Sequence, residues 1–174
     1  EQTADKKHPA DTSITFENVS FRYPGAVNDA LHDVSLKINA GEQVAFVGPS
    51  GGGKTTLARL IARFADVTEG NILIGGVNVK NIDEKELMDT VSFVFQDSHL
   101  LKMSILDNVR MGNKNATRQE VMEALKNAQC DDIIEKLPDG IDTVIGSKGT
   151  YLSGGEAQRI AIARAMLKNS PMLI

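Results

Sequence analysis

The stretch GPSGGGKT, residues 48–55, decides the fold. It fits the pattern G-x-x-x-x-G-K-[S/T], and its flanks give the pattern physical sense. Before it, EQVAFVG (42–48) carries a continuous apolar run, as expected of a strand buried on both faces. After it, Leu57, Leu60, Ile61 and Phe64 recur at i, i+3, i+4 and i+7, one apolar stripe of a helix. A strand, a glycine-rich loop and a helix in that order make a phosphate site. Consecutive N–H groups at the helix N-terminus point at the anion, and the helix dipole favours negative charge. Gly51, Gly52 and Gly53 let the backbone close around phosphate oxygens where a Cβ would clash. The candidate contacts are Gly48, Ser50, Gly51, Gly52, Gly53, Lys54, Thr55 and Thr56. Lys54 is expected to reach the β- and γ-phosphates, and the Thr55 hydroxyl to hold Mg²⁺.

Outward from this loop, strands and helices alternate. Residues 13–23 read as one strand whose alternation breaks once, the mark of a bulge, and LHDVSLKI (31–38) reads as its antiparallel neighbour at a sheet edge. NILIGG, VNV and TVSFVF give further short strands, and DEKELMD a short helix with Asp83 as N-cap. From 104 to 137 the pattern is helical, with a capping box at Thr117 and Glu120. A last helix runs from Gly154 to Lys168. The expected fold is α/β: a P-loop NTPase core with a mainly parallel sheet, an antiparallel β edge subdomain, and a helical subdomain at about 97–155. Residues 1–12 read as a flexible tail or linker ahead of the domain at 13–174.

Composition narrows the function. The net charge of −4 supplies no basic field for nucleic acid. No apolar run approaches the roughly 20 residues that span a bilayer. Cys130 stands alone, so no internal disulfide forms, and its neighbours Asp131 and Asp132 disfavour a thiolate. A structural cysteine is expected.

The second feature is YLSGGEAQR, residues 151–159. Ser-Gly-Gly ahead of a helix is either an N-cap with a flexible approach or a second helix N-terminus offered to phosphate. Together, residues 48–55 and LSGGE (Leu152, Ser153, Gly154, Gly155, Glu156) resemble the nucleotide-binding domain of ABC transporters over nearly the whole chain from Ile14. Tyr23, in FRYPG, falls where that family stacks adenine on an aromatic ring, a role favoured over that of a strand-end aromatic covering a core. Gln96, in FVFQD, falls at the family's Q-loop glutamine, which the resemblance links to Mg²⁺, the attacking water and the transmembrane partner. Asp97 beside it reads as a turn carboxylate rather than a metal neighbour.

The stretches SILDNVRMG and TVIGSKGTYLSGGE look exporter-like, although Ser147 stands where the family usually has an acid and Gly52 where it often has serine. The resemblance implies an ATPase motor with ATP and Mg²⁺ as cofactors and with Lys54 and Gln96 serving catalysis. It also implies a second nucleotide-binding domain, joined head to tail so that Leu152–Glu156 of one copy meet the ATP of the other. Transmembrane domains, expected N-terminal on the same polypeptide, would convert dimer opening into export from the cytoplasmic face of the plasma (inner) membrane. In the family a strand after the signature helix ends in Asp-Glu, and a switch histidine follows. Here PMLI begins such a run, and His8, His32 and His99 all precede the signature. The expectation is therefore a chain cut before its general base, able to bind ATP without turning it over. The alternative is a non-transport ABC-type ATPase of repair or translation; repair ATPases insert a long coiled coil between the two motifs, and no sustained heptads separate Gln96 from Ser153.

Overall fold

The computed structural model describes residues 7–146 and 150–174, so Ser147 and the first six residues of the expected tail lie outside it. The chain forms two units, residues 1–91 and 92–174, each described separately.

The first unit is built on a four-stranded antiparallel sheet. Its strands are β1 (Ile14–Phe21), β2 (Leu31–Ile38), β3 (Glu69–Ile74) and β4 (Val77–Asn78), in the order β2-β1-β3-β4. Phe16 lies opposite Leu36 on one side and Ile72 on the other. The break in alternation in β1 is a real irregularity: the register shifts between Phe16 and Val19, where Asn18 adopts φ +47°. Asn18 is held there by Ser35 Oγ, which accepts from its N–H, and by Asp33, which accepts from its side-chain amide. Beyond the bulge Val19, Ser20 and Phe21 are all buried, so this end of β1 is covered on both faces.

Helix α1 (Lys54–Ile61) follows the glycine loop and buries Thr56, Leu60 and Ile61. The predicted stripe overruns it. Arg63 enters the left-handed region at φ +54°, its N–H bonds Leu60 C=O, and Phe64 N–H bonds Arg59 C=O. This pair of bonds closes the helix in a Schellman motif and leaves Phe64 outside it. Helix α2 (Glu84–Thr90) starts from Asp83, whose carboxylate accepts the N–H groups of Lys85 and Glu86 as expected of an N-cap.

Two sequence expectations change in this unit. Residues 42–48 do not form a strand: no strand among the described residues pairs with them, and Val44 and Val47 are 49% and 93% exposed. Apolar content creates the need for burial, but a strand exists only where its N–H and C=O groups find a ladder. Residues 7–11, read as part of a polar tail, are tied down. Lys7 N–H bonds Asn81 C=O, Ala10 N–H bonds Gly75 C=O, and His8 pairs with Glu86 at 2.8 Å.

The second unit is mainly helical: α3 (Ile105–Arg110), α4 (Arg118–Asn127), α5 (Asp131–Lys136) and α6 (Gly154–Lys168). The Thr117–Glu120 capping box opens α4 as the sequence implies. A short pair joins β5 (Val91–Ser92) to β6 (Met172–Leu173). Ile174 donates to Ser92 C=O and accepts from Val94 N–H, both at 2.8 Å; one residue bridging two that are two apart is the parallel arrangement. Of the expected strand TVSFVF, only Val91–Ser92 is regular.

The helices enclose a core of Ile105, Val109, Val121, Leu125, Ile133, Ile160 and Ala163. Polar groups are built into this half. Asn108 is fully buried and its amide is saturated: Oδ1 accepts from Leu101 N–H, and Nδ2 donates to the carbonyls of Leu101, Met103 and Ser104. Arg164 of α6 reaches the same residue, donating to its backbone carbonyl at 2.8 Å. Cys130 is also fully buried, and burial pushes its thiol from 9.0 up to about 11. The folded thiol therefore keeps its proton where the unfolded one loses it, so its contribution to stability is whole below pH 9 and fades as pH rises through 11. Two results are expected. Maleimide labelling at pH 8 tracks global unfolding, and the stability gap between wild type and Cys130→Ala shrinks above pH 9 in urea titrations.

Candidate functional site

The loop before α1 is shaped by its own backbone. Gly51 and Gly53 sit at φ +79° and +81°, in the left-handed region that glycine enters without strain. Gly53 is also an approach point: a Cβ there would lie 2.6 Å from Leu31 Cδ2 and 2.8 Å from Ala30 C=O. Gly53 is the N-cap of α1 and brings no side chain to the helix start. The first-turn N–H groups of Lys54, Thr55 and Thr56 are thus presented without a capping oxygen from the N-cap residue. Lys54 Nζ folds back over the loop and donates to the carbonyls of Gly48 (3.0 Å) and Pro49 (2.6 Å). A positive charge and a helix N-terminus converge on one concave turn, an arrangement suited to phosphate. Gly48, Ser50 and Thr55 are exposed around it.

Tyr23 lies beside this loop. Its hydroxyl is 3.0 Å from Thr56 Oγ1, and its ring meets Phe21 edge-on, centroids 4.9 Å apart at 83°. The ring remains 41% exposed, so it is not merely a lid over the core. Thr56, a candidate phosphate contact in the sequence, has its side chain buried with the hydroxyl turned to Tyr23, and its N–H remains in the first turn of α1.

The remaining candidates lie in the second unit. Gln96 and Asp97 are exposed in the loop after β5. Ser153 is the N-cap of α6: its hydroxyl accepts from Glu156 N–H, and Glu156 accepts from Ser153 N–H at 2.8 Å. That backbone bond, with the Ser153 side chain, holds the Glu156 carboxyl below its usual range. Both sequence readings of Ser-Gly-Gly are therefore compatible here, a cap and an open helix start. Leu152 packs half-buried on the helical core, while Ser153, Gly154 and Gly155 are exposed. Neither glycine has a positive φ, and a Cβ on either would meet nothing within 4 Å. Within the described residues, nothing explains why these two positions lack a side chain.

Three supporting residues escaped the sequence reading. Arg159 forks onto Asp132 with bonds of 2.7 and 3.0 Å and also donates to Gln129 C=O, fixing the start of α5 against α6. Asn108 and Arg164 tie the segment 101–104 to α3 and α6. The two arginines join residues distant in sequence, Asn108 closes a local loop, and only their polar character inside apolar periodic stretches signals them. Mg²⁺ fits the donor set of the loop as a partner of phosphate: it prefers substrate oxygens, water and one or two protein oxygens, and Thr55 supplies an exposed hydroxyl. Among the described residues no group of three or more His, Cys, Asp or Glu side chains could form a protein-only metal cage.

Comparison with known proteins gives this geometry its relatives. The model of the ABC transporter family matches residues 31–174. The chain is 46% identical over 166 residues to the ATP-dependent lipid A-core flippase of Methylobacillus flagellatus, spanning 95% of this chain and 28% of that protein. It is 42% identical over 180 residues to the β-(1→2)glucan export ATP-binding/permease protein NdvA of Brucella suis, covering 99% of this chain and 30% of the relative. Among solved structures, a bacterial Atm1-family ABC exporter with ATP bound superposes at a TM-score of 0.90 with 43% identity, over 99% of this chain and 30% of that one. The chain therefore spans less than a third of the length of these relatives. The α/β, P-loop NTPase fold is thus shared with exporters, and the chain belongs to the ABC transporter family as a nucleotide-binding domain of exporter type.

Proposed function

We propose that the chain is the ATP-driven motor of a membrane exporter. The observation that carries this reading is the uncapped start of α1, with Lys54 poised over the loop and Tyr23 anchored beside it. Triphosphate would draw Lys54 Nζ away from two neutral carbonyls onto anionic oxygens, which accept more strongly. The N–H groups of the first turn would take the remaining oxygens, and Tyr23 would stack the adenine. Mg²⁺, held by Thr55 and by the phosphates, would neutralise charge on the transferred group. Gln96 would report on that ion to the transmembrane domains.

The signature supports a second copy as partner. Gly154 and Gly155 leave the exposed start of α6 bare of side chains for a group arriving from outside. The γ-phosphate on the Lys54 loop of a second nucleotide-binding domain is that group. Two such contacts close a head-to-tail dimer, and loss of the γ-phosphate reopens it. No helix among the described residues is long and apolar enough to cross a membrane. The greater length of the exporter relatives supports transmembrane domains joined to this one, with the motor at the cytoplasmic face.

The test is nucleotide binding. Lys54→Ala is expected to raise the ATP dissociation constant by roughly 100-fold, the loss of about 3 kcal/mol of charge-assisted bonding, in isothermal titration calorimetry. An unchanged affinity would overturn the assignment of the loop.

A further inference from the structure

The bond between Tyr23 and Thr56 has a role beyond contact with phosphate. Tyr23 leaves the end of β1, and its two side-chain torsions must both be fixed for the ring to offer a flat face. The hydroxyl bond to Thr56 Oγ1 at 3.0 Å fixes where the ring swings. The edge of Phe21, at 4.9 Å and 83°, fixes how it turns about its own axis. Thr56 is only 7% exposed and lies on the first turn of α1, two residues after Lys54, so its own position is set by the helix. A threonine in a helix divides between two rotamers, and the Tyr23 bond selects one.

A second contact joins the same two pieces. The chain returning from Tyr23 bonds back through Ala30 N–H to Phe21 C=O, and Ala30 and Leu31 then pack on Gly53. The segment from Phe21 to Leu31 is thus fastened to the loop and its helix at Gly53 and at Thr56.

We infer that Thr56 is a positioning residue for the base: its hydroxyl holds the Tyr23 ring at a fixed place relative to the phosphate loop, so that discrimination of a purine nucleotide from bare triphosphate depends on a side chain of the phosphate helix. This rests on the reading of residues 48–55 as the phosphate site and of Tyr23 as the base platform. Pre-ordering of the ring removes an ordering cost that the ligand would otherwise meet on binding.

The experiment measures the affinity of the chain for ATP and for inorganic tripolyphosphate by calorimetry, with far-UV melting to check folding. Thr56→Val and Tyr23→Phe are each expected to weaken ATP about fivefold, the worth of one net hydrogen bond, and to leave tripolyphosphate unchanged. Thr56→Ser, which keeps the hydroxyl, is expected to restore wild-type affinity. The double variant Tyr23→Phe/Thr56→Val is expected to be no weaker than either single one. Equal weakening of both ligands by Thr56→Val, or additive losses in the double variant, would overturn the inference and return Thr56 to the phosphate. Failure of the underlying reading shows elsewhere: Tyr23→Ala would then leave ATP affinity unchanged. Should Thr56→Val not fold, Tyr23→Phe carries the same prediction.

Discussion

Replacing Gly53 by alanine is expected to destabilise the first unit by about 3 kcal/mol and to abolish nucleotide binding. Two costs add. An alanine at φ +81° lies in the left-handed region, at about 1 kcal/mol. Its Cβ would sit 2.6 Å from Leu31 Cδ2 and 2.8 Å from Ala30 C=O, and overpacking of that kind costs about 1–3 kcal/mol. The backbone carbonyl cannot step aside without breaking the neighbouring bond from Ala30 N–H to Phe21 C=O. Relief by moving the loop would instead rotate the N–H groups at the start of α1 away from the anion. Gly51 is the control. It has nearly the same φ, but nothing lies within 4 Å of its added Cβ, so Gly51→Ala is expected to cost only about 1 kcal/mol. Urea unfolding with ATP titration checks both; equal effects at the two positions would refute the argument from close approach.

Asn108→Leu is expected to cost about 1–3 kcal/mol, although the substitution is apolar, of similar size and placed in an apolar core. The amide serves four backbone partners between Leu101 and Ser104; leucine would leave the Leu101 N–H without its acceptor, while the three carbonyls keep the N–H groups of Met103, Ile145 and Asn108. A buried group left without a bond costs about 1–3 kcal/mol. The loss falls on the segment that follows Gln96, so limited proteolysis is expected to cut between residues 97 and 104 before global unfolding. A variant with wild-type urea midpoint and wild-type cleavage would show that water replaces the amide.

Much of this was legible where structure is local. Asp83 and Thr117 announce their helices because a cap needs only a side-chain oxygen and a nearby N–H, and α6 begins and ends where the sequence places it. The bulge in β1 was visible as one break in alternation. Residues 42–48 misled because apolar content says that a strand wants burial, not that a ladder partner lies beside it. Phe64 misled because the Schellman bonds of Arg63 and Phe64 end the helix while the apolar spacing runs on. At the site, the glycines and Lys54 form one contiguous motif, whereas the bond of Tyr23 to Thr56 spans 33 residues and no pattern of spacing contains it. Asn108 sat in a stretch legible as helical, and its burial appears only once α3 is packed.

The bare start of α1 has a thermodynamic consequence. The helices α2, α4 and α6 carry their own side-chain caps, whereas α1 begins at a glycine that offers none. A bound phosphate then completes the helix, and the ligand becomes part of the folded structure rather than an addition to it. Linkage makes the melting temperature of the first unit a function of nucleotide concentration, with about 2.7 kcal/mol gained when free ligand stands at 100 times its dissociation constant. A motor that grips and releases its fuel in each cycle would, on this account, tighten and loosen part of its own fold each time.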